Sequence, residues 1–530
     1  MFITGDQATP RGPQLELRPL EKQANSRKVG SRRVAYLHVR LAGYNEKPMR
    51  QSEQDQADLA SFGYAQELFR SMGGFSNFAV SFSIISILTG AVTLFGYGLE
   101  MGGPLEMTLG WPLATVFTLA VAASMAELCS AYPTSGAMYH WAADLGGPAW
   151  GWFVAWFNIF GLVAAQAGIN YSCAQFVLPF LGFPSSHANL LGMFAFILMT
   201  QGLLNHYGIK LVAILNDLSV TVHIVGVLVV VAALFFLAPR QPLSFLTQAV
   251  NSNGRSPYWW AFVLGLLQAQ WTYTGFDASA HLAEETADPR RRAPWGIVLS
   301  VAVAGVVGYL LILALTLAIR TIPEALSAKD AQGNPISAAI AILQQALGAR
   351  AGNAMAALAS VAMWFCGLSC VTSASRAVFS LARDHGTPFA GSLRRVSSRH
   401  GTPAPAIWVF IVTSFAAMIW AGAVPVVTSL STVALYAAYI VPVFLGWRAR
   451  RRGSDWPRQA PWSLGAWGGR LNLVAMAYTV FVCFVLVMPP NELAGKTFLG
   501  LLAALAVLYA AIARKKYQGP EWSRDHKQLI

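Results

Sequence analysis

Charge is what this chain of 530 residues has least of: Asp, Glu, Lys and Arg together make up 12%. A soluble domain carries about a quarter of its residues as charges, so an ordinary soluble fold is excluded. Cysteine is scarce too. The five present (Cys129, Cys173, Cys366, Cys370 and Cys483) sit in or beside apolar runs, which leaves no disulfide framework. Cys366 and Cys370 share a helix face, but two thiols make a poor metal site. No metal and no cofactor is expected. There is no pair of carboxylates set for acid–base work, no Ser-His-Asp order and no glycine-rich phosphate loop. A membrane-embedded enzyme would need His, Asp or Glu clustered at the inner ends of several helices, and that pattern is missing. A secretory signal is also absent, since residues 1–48 are polar and basic without an apolar core.

Apolar residues are what is abundant, at 55%, and they come in runs rather than stripes. A run of about 18–20 residues with few charges is enough to cross a bilayer as a helix. Twelve such segments are predicted: 77–97, 110–131, 149–177, 189–207, 214–237, 260–283, 295–319, 352–382, 405–421, 426–447, 471–488 and 497–513. They are too long and too uniformly apolar for barrel strands. The expected fold is therefore an all-α integral membrane protein.

A net charge of +13 would suggest nucleic acid in a soluble protein. Here the basic residues sort by topology. With the N-terminus inside, only six of the 37 (Arg240, Arg255, Arg320, Lys329, Arg350 and Lys496) fall on outer loops. The positive-inside rule then puts both termini in the cytoplasm, with a lipid bilayer as partner and no nucleic acid. Every loop is short, so one transporter domain is expected over 71–515. Residues 1–70 read as a disordered basic tail, and 516–530 as a second cytoplasmic tail. Met49 is a candidate start, which would make 1–48 an upstream extension.

The most informative stretch is Trp271-Thr-Tyr-Thr-Gly-Phe-Asp-Ala-Ser-Ala-His-Leu-Ala-Glu-Glu-Thr286. Polar groups in a bilayer are costly and usually face a site. A glycine there lets the helix break, and the exposed backbone must be met by substrate or ion. The first segment has a similar ladder, Ser81, Ser83, Ser86 and Thr89, followed by Gly90. Two polar, glycine-interrupted segments five spans apart are what two inverted five-helix repeats plus two extra helices would give, with helices 1 and 6 broken.

These residues resemble the amino acid–polyamine–organocation transporter superfamily. The carriers of the resemblance are Gly275-Phe-Asp277 with Glu284-Glu-Thr286, and Ala126-Glu-Leu-Cys-Ser-Ala-Tyr-Pro-Thr-Ser-Gly-Ala-Met-Tyr-His-Trp141. Leu59-Ala-Ser-Phe-Gly-Tyr64 with Phe78-Ala-Val-Ser-Phe-Ser83 looks more specifically like the amino acid/choline permeases, which include GABA permeases. The resemblance implies a twelve-helix permease in the plasma (cell inner) membrane. It implies secondary active uptake of amino acids or small organic amines by alternating access.

The chemistry of a zwitterion assigns the candidate site. N–H groups at the start of a half-helix, around Ser86, Thr89 and Gly90, suit a carboxylate. Carbonyls around Trp271, Tyr273 and Thr274 suit an ammonium. Packing of small residues is the alternative for the serines. Gly275 permits the break. Phe276, next to it, is the expected lid. A ring face holding a cation gains roughly 0.5–2 kcal/mol. Asp277 either binds the amine, carries a proton or caps the restarting helix. Glu127, Glu284 and Glu285 are expected to close the inner side by pairing with Arg290–Arg292 or other inner arginines. His223, mid-span in the fifth segment, is the candidate proton carrier, with a packing histidine as the alternative. Ser369, Thr372, Ser373 and Ser375 could instead hold sodium, a hard cation suited to oxygen ligands. The histidine favours H+ over Na+ as the coupling ion. An exchanger of the same fold and a passive solute channel are the other readings.

Overall fold

A computed structural model describes residues 51–329, 333, 335–421, 424–520 and 522. Among them ten helices are long and apolar enough to cross a membrane. The two remaining segments of the expected twelve are the ninth, a shorter apolar helix at Ala404–Ala421, and the sixth. The sixth is not one helix but three pieces, Tyr258–Gly265, Leu267–Thr272 and Ala278–His281. The fold is all-α, and a broken sixth span is what Gly275 foretold.

The first span is broken as well, into Gly74–Ile85 and Ile87–Thr93. The break falls at Ser86, whose φ of 36° is left-handed. It does not fall at Gly90, which stays helical. Gly90 is small for a different reason: a Cβ there would lie 2.0 Å from Thr272 Oγ1 of the sixth span. The two broken spans thus touch backbone to side chain in the core. The second span is longer than expected, Phe95–Ala131, and bends at Gly103, where φ is 63°. It packs along the seventh span, Pro289–Leu317, and the third, Pro148–Val177, packs along the eighth, Ala349–Arg383. Spans one and six, two and seven, three and eight are the mates that a two-fold axis between five-helix repeats would bring together.

Two short helices fall outside the predicted segments, Met138–Gly146 between the second and third spans and Ala338–Leu347 between the seventh and eighth. The expected tails need correction where they are described. Gln51–Ser61 is helical, with Asp55 and Leu59 buried. Trp522 stacks its ring against Tyr132 and meets Phe62 edge-on at 5.1 Å. This stretch, with rings at its end, is held against the bundle, which composition alone did not show. The expected extension over 1–48, and 523–530 of the second tail, lie outside the described residues.

Candidate functional site

Between the two breaks lies a small cavity, with room for about one water molecule. Thr89 and Gly90 of the first span and Trp271, Thr274 and Gly275 of the sixth are on its wall. So five of the nine expected substrate-contacting residues come together. Ile84, Leu162, Ile169 and Leu435 complete an apolar wall, with the Cys366 thiol beside them. Sequence reading missed these because their apolar side chains look like any other lipid-facing or packing residue.

The other four expected residues do not line the cavity. Ser86 is buried and hydrogen-bonded to the Thr89 hydroxyl and, at 2.8 Å, to His223 Nε2. Tyr273 points away, with its hydroxyl 2.5 Å from Thr115 Oγ1. Phe276 packs on the Tyr439 ring at 4.8 Å. Asp277 is fully buried one layer below. Backbone groups also differ from expectation. The Thr89 and Gly90 N–H groups both donate to the Ser86 carbonyl, at 2.9 and 3.0 Å. The Trp271 carbonyl accepts from the Thr274 N–H and hydroxyl. Each break therefore satisfies part of its own backbone by a tight turn.

Gly275 sits at φ 91°, and a Cβ there would lie 2.1 Å from Ile84 Cγ2. Both the conformation and the close approach require glycine. Its N–H donates to Tyr439 Oη at 3.1 Å, and Tyr439 Oη donates to Asp277 Oδ1 at 2.7 Å. Asn158 Nδ2 donates to Asp277 Oδ2 at 3.1 Å. His281 Nε2 lies 3.4 Å from the same oxygen. Asp277 makes no capping bond to the turn that follows it, so the cap alternative fails. Tyr439, Asn158 and His281 were not foreseen. His281, four residues after Asp277 and hence on one helix face, was the readable signal.

His223 is hydrogen-bonded through both ring nitrogens. Nδ1 lies 2.8 Å from the Ser219 carbonyl, which can only accept, so Nδ1 carries the proton. Nε2 is then an acceptor for the Ser86 hydroxyl. Both nitrogens are satisfied in a neutral ring, and the side chain anchors the first-span break. The proposed sodium ligands are turned elsewhere. Ser369 donates to Asn216 Oδ1 at 2.6 Å and Thr372 to Asn205 Oδ1 at 2.7 Å, while Ser375 bonds the Thr372 carbonyl. Ser373 alone of the four has a buried hydroxyl without a partner.

The inner carboxylates pair, though not with Arg290–Arg292. Glu285 meets Arg376 at 2.5 and 3.1 Å, and Glu284 meets Arg383 at 2.9 and 3.1 Å. Glu127 holds Arg450 and the backbone of Leu464. Arg290 goes to Asp58 instead. Burial alone would raise the Glu284 carboxyl, but the Arg383 charge and its hydrogen bonds hold it below the usual carboxylate range. Beside it Asp384 receives Tyr64, Tyr139 and His140. Burial works to raise Asp384, and the hydrogen bonds of His140 and Tyr139 together with the Arg383 charge overcome it and leave it low. Burial pushes His140 down. A neutral ring fits its contacts, since Thr134 can donate to Nδ1 while Nε2–H donates to Asp384.

Broken first and sixth spans enclose a cavity, and buried ion pairs lie at one end of the bundle. The amino acid permease family matches residues 73–512. An amino-acid permease of Arabidopsis thaliana is 35% identical over 462 residues, covering 82% of this chain and 89% of its own length. A homolog of it from Oryza sativa is 32% identical, covering 88% and 96%. A putative polyamine transporter of Candida albicans is 26% identical, covering 90% and 91%. With this match along most of its length, the chain belongs to the amino acid permease family of the amino acid–polyamine–organocation superfamily.

Proposed function

We propose that this protein takes up neutral amino acids by alternating access, driven by an inward proton gradient, in the plasma membrane with both termini in the cytoplasm. The observation that carries the substrate class is the cavity wall: apolar side chains, three threonines, one thiol and no charged side chain. A zwitterion can leave its two charges to the helix ends at the breaks and lay an apolar side chain on Ile84, Leu162, Ile169 and Leu435. A polyamine would bring several ammonium groups to a wall without a carboxylate, which costs several kcal/mol per unpaired charge. Asp277 is not on that wall, and its oxygens already accept from Tyr439 and Asn158. The relative named as a polyamine transporter keeps polyamines as the second reading, and the resemblance to amino acid/choline permeases keeps GABA and choline among the candidates. In this scheme Glu284 and Glu285, with Arg383 and Arg376, form the inner gate, and Glu127 secures the connection after the tenth span, Val424–Arg451.

Purified protein in proteoliposomes tests this. Radiolabelled neutral, acidic and basic amino acids, GABA, choline and polyamines are offered without sodium, with the interior alkaline. Neutral amino acids are expected to accumulate and a protonophore to collapse the gradient. Preference for polyamines, a need for sodium at a clamped pH gradient, or equilibration without accumulation would each replace the reading, the last by a channel.

A further inference from the structure

His281 is the buried histidine whose neutral form does not satisfy its surroundings. Nδ1 lies 3.0 Å from the Ser135 carbonyl. A carbonyl only accepts, so Nδ1 carries a proton. In a neutral ring Nε2 is then a bare lone pair, and it faces Asp277 Oδ2 at 3.4 Å. Nε2 has no hydrogen-bond partner, though it is fully buried. A lone pair against a carboxylate, both out of water, is unfavourable. One added proton removes the conflict. It sits on Nε2 as an imidazolium against Asp277, or on Oδ2 as a carboxylic acid donating to Nε2.

We propose that Asp277 and His281 together hold the transported proton between Oδ2 and Nε2, and that its departure to the cytoplasm loosens the sixth-span break. This rests on the proton-driven reading given above. The groups around the pair allow no simpler solution. Tyr439 of the tenth span and Asn158 of the third both donate to Asp277 and bring no charge. The eighth span brings the Cys370 thiol and Arg376, whose guanidinium is committed to Glu285. The first span brings Ser81 and Asn77, neutral and bonded to Ser279. The seventh begins at Arg290–Arg292 on its inner end, with Arg290 on Asp58.

The pair is wired to both neighbours it must govern. Above, Asp277 holds Tyr439, which holds the Gly275 N–H at the break. Below, Asn158 and His281 line a small cavity with Tyr139 and Ala377, and Tyr139 reaches Asp384 beside the Glu284–Arg383 pair. With the proton gone, Asp277 and His281 repel, and the Ala278–His281 turn is freed. The proton passes to water entering from the inner side; no other bond is made or broken.

The test uses the full-length protein in proteoliposomes, wild type against His281→Gln and Asp277→Asn. For one proton per zwitterion, a one-unit pH gradient supports about tenfold accumulation. The wild type should reach that order. Both variants should lose it, falling to equilibration, while substrate counterflow stays measurable and becomes flat with pH. A variant that still accumulates substrate tenfold overturns the proposal and leaves the permease reading standing. If the wild type itself does not accumulate under a proton gradient, the underlying reading fails instead. Should counterflow vanish in both variants, proton counting on detergent-purified protein decides. A pH indicator must show a substrate-linked proton change in the wild type and none in either variant; an equal change in the variants rejects the pair.

Discussion

The two breaks solve the same problem with different chemistry. At the first, Ser86 takes a left-handed φ of 36°, and its hydroxyl is held by Thr89 and a neutral His223. At the sixth, Gly275 takes φ 91°, and its N–H is held through Tyr439 by a buried carboxylate. The first network is complete without any ion, so it fixes a shape. The second contains Asp277 and His281, whose contact changes with one proton, so it can change shape. Burial of a histidine is therefore no sign of proton transport by itself. What matters is whether both ring nitrogens find the partner that a neutral ring needs.

The largest expected effect comes from filling the mobile break. Gly275→Leu places a side chain where even a Cβ meets Ile84 at 2.1 Å, and it must hold a positive φ. Uptake in proteoliposomes should vanish with membrane insertion unchanged; near-normal uptake would remove the sixth-span break from the binding site. Next in size is the clasp below that break. Arg376→Met leaves Glu285 buried without its partner, which costs about 3–5 kcal/mol. Thermal unfolding in detergent should show the loss, and adding Glu285→Gln should restore much of it. An unshifted melting curve in the single variant would mean that the pair is not closed in the membrane.

The fixed break should respond more weakly. Ser86→Ala strips His223 Nε2 of its donor and should cost about 1–3 kcal/mol. Ser86→Gly loses the same bond but accepts the left-handed backbone, so it should be the more stable of the two by denaturation midpoint. In both, the pH dependence of uptake should keep the wild-type form. A displaced pH profile would give His223 a share in proton movement and erase the contrast between the breaks.

The smallest effect is on the inner clasp in acid. Glu284 and Asp384 are held below the usual carboxylate range, and burial holds His140 below its ordinary value. A group with a depressed folded pKa adds stability above its unfolded value and loses it as pH falls. His140 should therefore begin to cost stability below about pH 6.5, and the carboxylates only below about pH 4. Melting temperature against pH should decline in that order. A rise in stability on going from pH 7 to 5 would contradict it.

Apolar runs made the twelve segments readable. A bilayer punishes charge and bare backbone over a fixed thickness, and that constraint is local. Gly275 was legible for the same reason, since a polar, glycine-centred stretch has no place in plain membrane helix. The first break was legible only to its neighbourhood: the ladder Ser81 to Thr89 pointed there, but the turn fell at Ser86 and Gly90 served the contact with Thr272. Sequence could not separate a break from a close approach, because both call for a small residue.

The side-chain partners belong to tertiary structure. Glu284 and Glu285 were expected to pair with inner arginines, and which ones followed only from the docking of the eighth span, about a hundred residues away. His223, Asp277 and His281 look alike in sequence, as ionisable residues in apolar surroundings. Their roles diverge because Ser86 faces His223, Ser135 faces His281, and Tyr439 and Asn158 face Asp277. Sequence decided where the bilayer lies and where helix must fail. Only the packed bundle decided what each nitrogen and oxygen meets, because a hydrogen bond depends on directions and distances set between spans.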